Sequence, residues 1–230
     1  MIFITGDTHR DFHRVIALCN QQNTTTDDIL IILGDAGINY YGANKDKSLK
    51  GELSKLPITL FCIHGNHEQR PEIIPTYTQK EWHGGTVYVE PKFPNILFAK
   101  DGEVFDIDDN SFITIGGAYS IDKYYRLDNG WGWWDDEQPS EKVKGYVELC
   151  LHGIDWKVDY VLSHTCPLRY EPTEVFLDFV DQSSVDKSTE EWLDDIEIKL
   201  DYGRWYCGHY HTDKTIDKMR FFFNDFIRIG

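Results

Sequence analysis

Two pairs of residues near opposite ends of the chain share a spacing that would let both side chains of a pair point the same way and bind metal. Asp7 and His9 are two residues apart, and His209 and His211 repeat that spacing. Side chains two apart on an extended or turning segment can point the same way. Carboxylates bring charge and can bridge two ions, whereas neutral imidazoles suit borderline metals such as Mn, Fe, Zn, Co or Ni. One such pair arises by chance in a long sequence, but the two together indicate a metal site.

Three isolated polar residues, Asp35, Asn66 and His164, strengthen this interpretation. With the two pairs they occupy five motifs, which are Gly6-Asp7-Thr8-His9, Gly34-Asp35, Gly65-Asn66-His67-Glu68, Ser163-His164 and Gly208-His209-Tyr210-His211. Each motif follows a short apolar run that predicts a strand. Ligands in open α/β sheets bind beyond the carboxyl ends of the strands, so five strands could direct these side chains to one point. The ligand types differ from the closed, cysteine-rich set of a structural zinc site, and the pattern predicts a metal-dependent hydrolase.

The elements that must position the motifs are predicted from hydrophobic patterning. Residues 1–70 alternate strand-like and helix-like stretches, which suggests βαβ units with right-handed crossovers. Helices are predicted over 11–22, 48–56, from an N-cap at Ser140 to about Leu151, and over 185–200. Short strands are predicted over 86–90, 96–99, 103–107, 111–115 and 219–229, with hairpin turns at Asp101-Gly102 and Asp109-Asn110. The middle region resembles an antiparallel sheet added to the first half. We predict two sheets face to face with outer helices, in a single domain over residues 1–230.

The composition excludes several classes of protein. The chain has 230 residues and a formal net charge of −16. This charge argues against broad binding to nucleic acid or to an anionic membrane, because such binding needs basic patches. No run approaches the roughly 20 apolar residues of a membrane span, and the N-terminus lacks the sections of a signal peptide. Five dispersed cysteines without a CxxC pair indicate reduced thiols, so we expect a cytoplasmic protein.

The order and wording of the five motifs resemble those of the calcineurin-like metallophosphoesterase superfamily, whose pattern is GDxH, GD, GNH[ED], an isolated His and GHxH. The pattern spans residues 6–211 here, nearly the whole chain. The resemblance implies an α/β fold, a four-layer α/β/β/α sandwich of two mixed sheets flanked by helices, and a site for two divalent ions. Manganese is the first expectation, with Fe, Zn, Co or Ni as alternatives. The implied ligands are Asp7, His9 and His211 for one ion, Asn66, His164 and His209 for the other, and Asp35 as a bridge.

A mechanism for phosphate ester hydrolysis follows from such a site. Two cations about 3.5–4 Å apart would hold the phosphate oxygens and lower the pKa of a bridging water, and the resulting hydroxide would attack phosphorus in line. Asn66 would help to stabilise the charge that develops on the phosphate. His67 is the family's candidate for donating a proton to the leaving oxygen, a role that typically contributes roughly 10²–10⁴-fold in rate.

Departures from the family pattern limit the type of substrate. Protein phosphatases of the superfamily extend the second motif to a form like GDxVDRG, which supplies an acidic partner for the histidine and a phosphate-binding Arg. Residues 36–40 read Ala-Gly-Ile-Asn-Tyr and contain neither. This absence argues against a Ser/Thr protein phosphatase and against diadenosine tetraphosphate hydrolysis. Arg10 stands where glycine often follows the first motif, and it could contact the substrate phosphate or be a solvated charge.

Two later segments are candidates for substrate contact. Residues 116–126 begin with a double glycine and include Lys123 and Arg126, which could contact the phosphate or its leaving group, or be exposed charges of a turn. The aromatic segment Trp131 to Trp134 could stack on a base. It could equally hold an irregular loop together or form a subunit contact.

We therefore predict a cytoplasmic metal-dependent phosphoesterase that acts on a small phosphomonoester or phosphodiester, such as a nucleotide. The alternatives are a protein phosphatase and a non-catalytic metal-binding scaffold of the same fold. A scaffold should have lost ligands or the proton donor, yet each has a counterpart here. A nuclease would need a basic track along the cleft, which a chain of this charge does not indicate. The oligomeric state stays open.

Overall fold

The computed structural model describes residues 1–229, and its first sheet has seven strands. They are β1 (Ile2–Thr5), β2 (Ile29–Ile32), β3 (Thr59–Cys62), β4 (Thr78–Trp82), β5 (Gly85–Val89), β6 (Ile96–Ala99) and β13 (Ile227–Ile229). Their order across the sheet is β13-β1-β2-β3-β6-β5-β4. The pairs from β1 to β6 are parallel, while β13 and the β4–β5 hairpin add antiparallel pairs at the two edges.

The second sheet has six strands and is also mixed. They are β7 (Val104–Ile107), β8 (Asn110–Ile115), β9 (Lys157–Ser163), β10 (Asp201–Cys207), β11 (Lys214–Ile216) and β12 (Met219–Phe221). The order is β11-β12-β10-β9-β8-β7, with parallel pairs from β12 to β8 and an antiparallel pair at each edge. In both sheets, therefore, the central strands are parallel and have their carboxyl ends on one edge.

Helices cover the outer face of each sheet. They are α1 (His13–Gln22), α2 (Ala43–Leu53), α4 (Glu141–Gly153) and α5 (Ser188–Glu197), while the short α3 (Lys123–Asp128) lies in the connection between β8 and α4. Successive strand residues face opposite sides, so Ile2 and Ile4 pack between the sheets while Phe3 packs outward with α1. The other outer layer places α4 and α5 against Ile113 and Ile115 of β8. The predicted four-layer sandwich is confirmed. None of the helices within residues 1–229 has the length and apolar character that a membrane span requires.

The predicted helices are present, with shifted ends. Ser140 caps α4 as predicted, because its hydroxyl accepts a hydrogen bond from the backbone N–H of Val143. The helix predicted over 48–56 begins earlier, at Ala43. Its start is stabilised by the Asp46 carboxylate, which accepts the backbone N–H groups of Tyr41 and Gly42. The prediction missed this cap because it placed the start of the helix after Asp46.

The prediction of one antiparallel sheet in the middle of the chain is wrong. Strands β4 to β6 join the first sheet, whereas β7 and β8 begin the second. Asp101-Gly102 therefore connects the two sheets instead of closing a hairpin. The Asp101 carboxylate explains this course, since it accepts hydrogen bonds from the Arg70 guanidinium at 2.6 Å and from the Gly116 backbone at 2.7 Å. The β7–β8 hairpin does exist, and its turn residues with positive φ are Asp108 and Asp109, one position earlier than predicted.

Candidate metal centre

The five motifs follow five central strands and meet at one edge of the two sheets. Strands β1, β2 and β3 of the first sheet lead into Asp7, Asp35 and Asn66. Strands β9 and β10 of the second sheet lead into His164 and His209. The sheets pack face to face, so all seven predicted ligands lie together in space although up to 204 positions separate them in the sequence, from 7 to 211.

One group of three candidate ligands consists of Asp7, His9 and His211. The His211 Nε2 atom lies 3.3 Å from Asp7 Oδ2, and His9 Nε2 lies 3.8 Å from the same oxygen. The two imidazole nitrogens are 2.9 Å apart. One ligand atom from each residue lies within 4.8 Å of the others, which is close enough for the three to hold one cation.

The second group consists of Asn66, His164 and His209. The Asn66 Oδ1 atom is 2.8 Å from His164 Nε2 and 3.1 Å from His209 Nδ1. Asp35 lies between the groups: its Oδ1 is 3.5 Å from His164 Nε2, and its Oδ2 is 3.9 Å from His9 Nε2. A carboxylate whose two oxygens face two ligand groups is placed to bridge two cations.

Unusual backbone conformations hold these side chains in place. Asp35, His9, His209 and His211 all have positive φ, between 44° and 67°. Non-glycine residues with positive φ are uncommon and cost energy, so they persist where surrounding contacts support them. Here the support is local: the His9 N–H donates to the Asp35 carbonyl at 2.8 Å, and the His209 N–H donates to Asp7 Oδ1 at 3.0 Å.

The glycines of the motifs allow the loops to approach the carboxylates. A Cβ atom on Gly65 would lie 2.0 Å from Asp35 Oδ1, and one on Gly208 would lie 2.3 Å from Asp7 Oδ1. Both distances are far below van der Waals contact, so any larger residue would push a candidate ligand away. This explains why a glycine precedes the ligand in the third and fifth motifs.

The electrostatic environments of Asp7, Asp35 and His209 favour the protonation states that bind metal. Burial alone would raise the pKa of the Asp7 carboxyl, but the interactions with His211 and His164 outweigh it and leave that pKa below its ordinary value. The pKa of Asp35 is lowered in the same way, by His164, His67 and His9 acting against burial. Burial and the neighbouring His164 lower the pKa of His209 to about 3. Ionised carboxylates and neutral imidazoles are the ligand forms that divalent cations require.

The surroundings of the Asp7 Oδ2 atom test whether the site fits a cation. It is buried and makes no hydrogen bond of good geometry with any described residue. A buried carboxylate oxygen without a donor is costly, and a bound cation would satisfy it. The residues present therefore fit a divalent metal ion.

Comparison with known proteins gives the family. The model of the family described as calcineurin-like phosphoesterase matches residues 1–227. The chain belongs to this family. Its members are metal-dependent phosphoesterases, so metal-dependent hydrolysis of phosphate esters is the general activity that membership supports. The motif resemblance seen in the sequence is thereby confirmed over nearly the full length.

Two solved structures are distantly similar to the phosphoesterase chain. One aligns over 96% of this chain and 88% of the other, with 12% identity and a TM-score of 0.49. The second, a protein of unknown function from Aquifex aeolicus, aligns over 74% and 81% with 13% identity and a TM-score of 0.34. No curated protein matches the chain.

His67 lies at the border of the ligand groups in the phosphoesterase. Its ring packs edge-on against that of His9, with centroids 5.2 Å apart. The His67 Nε2 atom is 3.9 Å from Asp122 Oδ1. The second motif lacks the acidic residue that would pair with this histidine in the protein phosphatases. In the structure, Asp122 from the loop after β8 lies beside His67 instead. The sequence offered no signal for this role, since Asp122 lies 55 positions away.

The three predicted substrate contacts have different surroundings. Arg10 lines a cavity of about 530 Å³ that we call the aromatic chamber, together with Tyr40, Tyr41, Trp131 and His67. The Arg10 guanidinium also donates to the Asp46 carboxylate at 2.6 Å. Lys123 Nζ lies over the ring of Trp133, 4.2 Å from its centroid. Neither Lys123 nor Arg126 lines this chamber.

Arg126 is fully buried, and its donors are directed at protein atoms. The guanidinium donates to the Gly132 carbonyl and, at 3.0 Å, to the Ser120 hydroxyl. Ser120 Oγ in turn accepts the Asn66 Nδ2–H at 2.9 Å. This chain of contacts orients the Asn66 amide so that its oxygen faces the histidines. Arg126 is thus placed to support a candidate ligand, a role that its sequence position did not reveal.

Replacing Ser120 with Ala is expected to weaken metal binding and turnover by about 10–100-fold, the usual effect of losing a partner of a metal ligand. The buried Asn66 amide would lose its acceptor and the restraint on its rotation. Metal titration followed by calorimetry measures the effect directly. The control is Ser140→Ala, which removes the cap of α4 and should cost about 1 kcal/mol of stability while metal affinity is unchanged. Equal metal affinity in both variants would exclude Ser120 from this role.

A second cavity, of about 380 Å³, shares His9 and His67 with the aromatic chamber. We call it the apolar chamber, and the apolar residues that define it are Tyr119, Ile121, Val175, Phe176, Leu177 and Val185. Among the candidate ligands, Asp35, Asn66, His209 and His211 also line it. Its wall contains the buried Glu190, which accepts the Thr165 hydroxyl at 2.6 Å.

Replacing Glu190 with Gln is expected to flatten the pH dependence of stability. Burial raises the pKa of Glu190 from 4.5 to about 7, so the folded protein retains a proton that the unfolded chain releases. The stabilisation is therefore complete below about pH 4.5 and is lost as the pH rises through about 7, a change of about 3 kcal/mol. Urea unfolding of metal-stripped protein across this range measures it. Gln keeps the acceptor for Thr165, and parallel pH profiles for both proteins would show that Glu190 is already ionised in the fold.

Proposed function

We propose that the phosphoesterase hydrolyses a small phosphomonoester or phosphodiester, nucleotides included, at a site for two divalent cations. The position of Asp35 supports this proposal most strongly. Its two carboxylate oxygens face two separate ligand groups, at 3.5 Å from His164 Nε2 and 3.9 Å from His9 Nε2. If the site bound a single ion, the second ligand group, of Asn66, His164 and His209, would be left without a metal to bind.

The chain's own residues would bind and orient the phosphate in this mechanism. Cations held by Asp7, Asp35 and the histidines would polarise the ester and lower the pKa of an attacking water, with manganese as our first candidate. Asn66 would hold its ligand oxygen toward His164 and His209. Glycines at the loop ends let the backbone come close to the phosphate.

His67 would serve as the proton donor to the leaving oxygen. Its ring lines both chambers, so it can contact an ester oxygen of a phosphate that the ligand groups hold. Asp122, 3.9 Å away, would orient the ring and offset part of the effect of burial, which lowers the pKa of His67 below its ordinary value. The water oxygen forms the new bond to phosphorus, and the leaving oxygen departs with the electron pair of its P–O bond and takes the proton from His67.

The proposal also covers the cellular compartment and the class of substrate. All five cysteines are free thiols, which supports a reducing compartment such as the cytoplasm. The net charge of −16 disfavours nucleic acid as a substrate and leaves a small phosphate ester.

The test compares bis-p-nitrophenyl phosphate with p-nitrophenyl phosphate, using protein stripped of metal and refilled with Mn²⁺. We expect turnover that disappears on stripping and returns with about two equivalents of metal. The ratio of diester to monoester rates then gives the preferred class. Absence of turnover on both esters with two ions bound would contradict the proposal and favour a non-catalytic scaffold.

A further inference from the structure

The two chambers meet at a pair of histidine rings. His9 and His67 line both cavities, while the other candidate ligands that line a cavity open only into the apolar chamber. The two rings, 5.2 Å apart, therefore form the boundary between the chambers. A phosphate held at this boundary has space for a substituent on each side.

The aromatic chamber has the chemistry to bind a flat group. Tyr41 is 55% exposed and Trp131 is 54% exposed, although large aromatic side chains are usually buried. The Trp131 ring packs at 90° against the Tyr125 ring, with 5.4 Å between centroids, and this contact holds the exposed ring in place. Aromatic faces bind flat π systems by stacking, and Arg10 and Lys45 over the Tyr41 ring add positive charge.

The apolar chamber suits a different substituent. Ile121 and Leu177 are each 45% exposed and come from segments more than 50 residues apart, so the fold brings exposed apolar groups together around an open space. Glu171 and Asp122 also line this chamber. An anionic group would meet their carboxylates, so the chamber favours an apolar substituent without negative charge.

We propose that the substrate is an unsymmetrical phosphodiester whose flat leaving group occupies the aromatic chamber and whose apolar retained group occupies the apolar chamber. This inference rests on the proposed function, with His67 as the proton donor. The leaving oxygen must lie beside His67, which lines both chambers. The departing group gains negative charge, which Arg10 in the aromatic chamber favours and the carboxylates of Asp122 and Glu171 in the apolar chamber oppose. A phosphomonoester would fill one chamber only and leave the exposed apolar residues of the other without a partner.

The reaction is balanced with water alone. The water oxygen bonds to phosphorus, and the P–O bond to the flat group breaks with its electron pair. The flat group leaves as an alcohol or phenol after taking the proton from His67. The retained group leaves as its phosphomonoester, and one proton of the water returns to His67.

The test uses two diesters with the same leaving group, methyl p-nitrophenyl phosphate and bis-p-nitrophenyl phosphate. Trp131→Ala should raise KM about tenfold for both, because both place an aryl group in the aromatic chamber. The double variant Ile121→Ala/Leu177→Ala should raise KM several-fold for the bis-aryl ester and leave that for the methyl ester unchanged. All three residues are at least 45% exposed, so folding should be retained. Leu149→Ala, at a position 68% exposed on α4, is the matched control.

The outcomes separate this inference from the proposed function. Equal effects of the double variant on both esters, or no effect of Trp131→Ala, would overturn the two-chamber assignment while leaving hydrolysis established. If the wild-type protein cleaves neither ester, the proposed function fails, and calorimetric dissociation constants for the same esters then decide the inference. The same pattern of variants in binding supports the two chambers, and its absence overturns them.

Discussion

Replacing Asp35 with Ala is expected to abolish turnover and remove at least one equivalent of bound metal. The loss should exceed the roughly 10–100-fold that follows removal of a partner outside the metal shell, because the bridging position would vanish. Both ligand groups would lose a shared negative charge, leaving the cations less well compensated. His209→Ala should give the same combination of lost activity and lost metal. Elemental analysis of purified protein alongside steady-state kinetics measures both quantities.

Asp106→Ala is the matched control for Asp35→Ala. Asp106 is an exposed aspartate on β7. Its removal changes the net charge equally and should alter neither metal content nor rate. Full turnover with two equivalents of metal in Asp35→Ala would refute the two-ion site. Loss of metal in the control as well would point to a general effect of charge.

Replacing His67 with Ala should leave metal content intact and lower the turnover number by about 10²–10⁴-fold, the usual contribution of a general acid. The effect should be largest for esters with poor leaving groups, since these depend most on protonation. A series of aryl esters with leaving groups of different pKa, compared with the wild-type protein, measures this as a steeper dependence of rate on leaving-group pKa.

His152→Ala provides the comparison for His67→Ala, because His152 is an exposed histidine at the end of α4. That variant should match the wild-type protein throughout. An unchanged slope in His67→Ala would remove this residue from proton transfer even if its rate were low. Loss of metal would instead make His67 a structural support for the ligands.

The candidate ligands could be predicted from sequence because each follows its own strand. Short apolar runs locate parallel strands, and the strand ends of such sheets converge, so Asp35 and His164 could be placed near each other without coordinates. The division of strands between the sheets could not be predicted. Apolar alternation looks the same in either sheet, and the contact between Arg70 and Asp101 that directs the crossover joins residues 31 positions apart.

The supporting residues and the two chambers could not be predicted from local patterns in the sequence. Ser120 and Asp122 belong to a loop before a six-residue helix, and their roles depend on contacts more than 50 positions away. The sequence left Arg126 as either a phosphate contact or an exposed charge, yet it is buried and donates to the carbonyl of Gly132. Loops carry most of this information, and their course is set by tertiary contacts that a single sequence does not display.

The hydrogen bond from the His209 backbone to Asp7 Oδ1 spans 202 positions and joins the two sheets at the candidate site. Cations bound there would link the two sheets. Their binding free energy would add to the free energy of unfolding, as it does for any ligand that binds only the folded form. Removal of the cations by a chelator would then weaken the contact between the two sheets and stop catalysis. Neither the group of Asp7, His9 and His211 nor the group of Asn66, His164 and His209 is complete until both sheets have met, so we expect these two groups to bind metal late in folding.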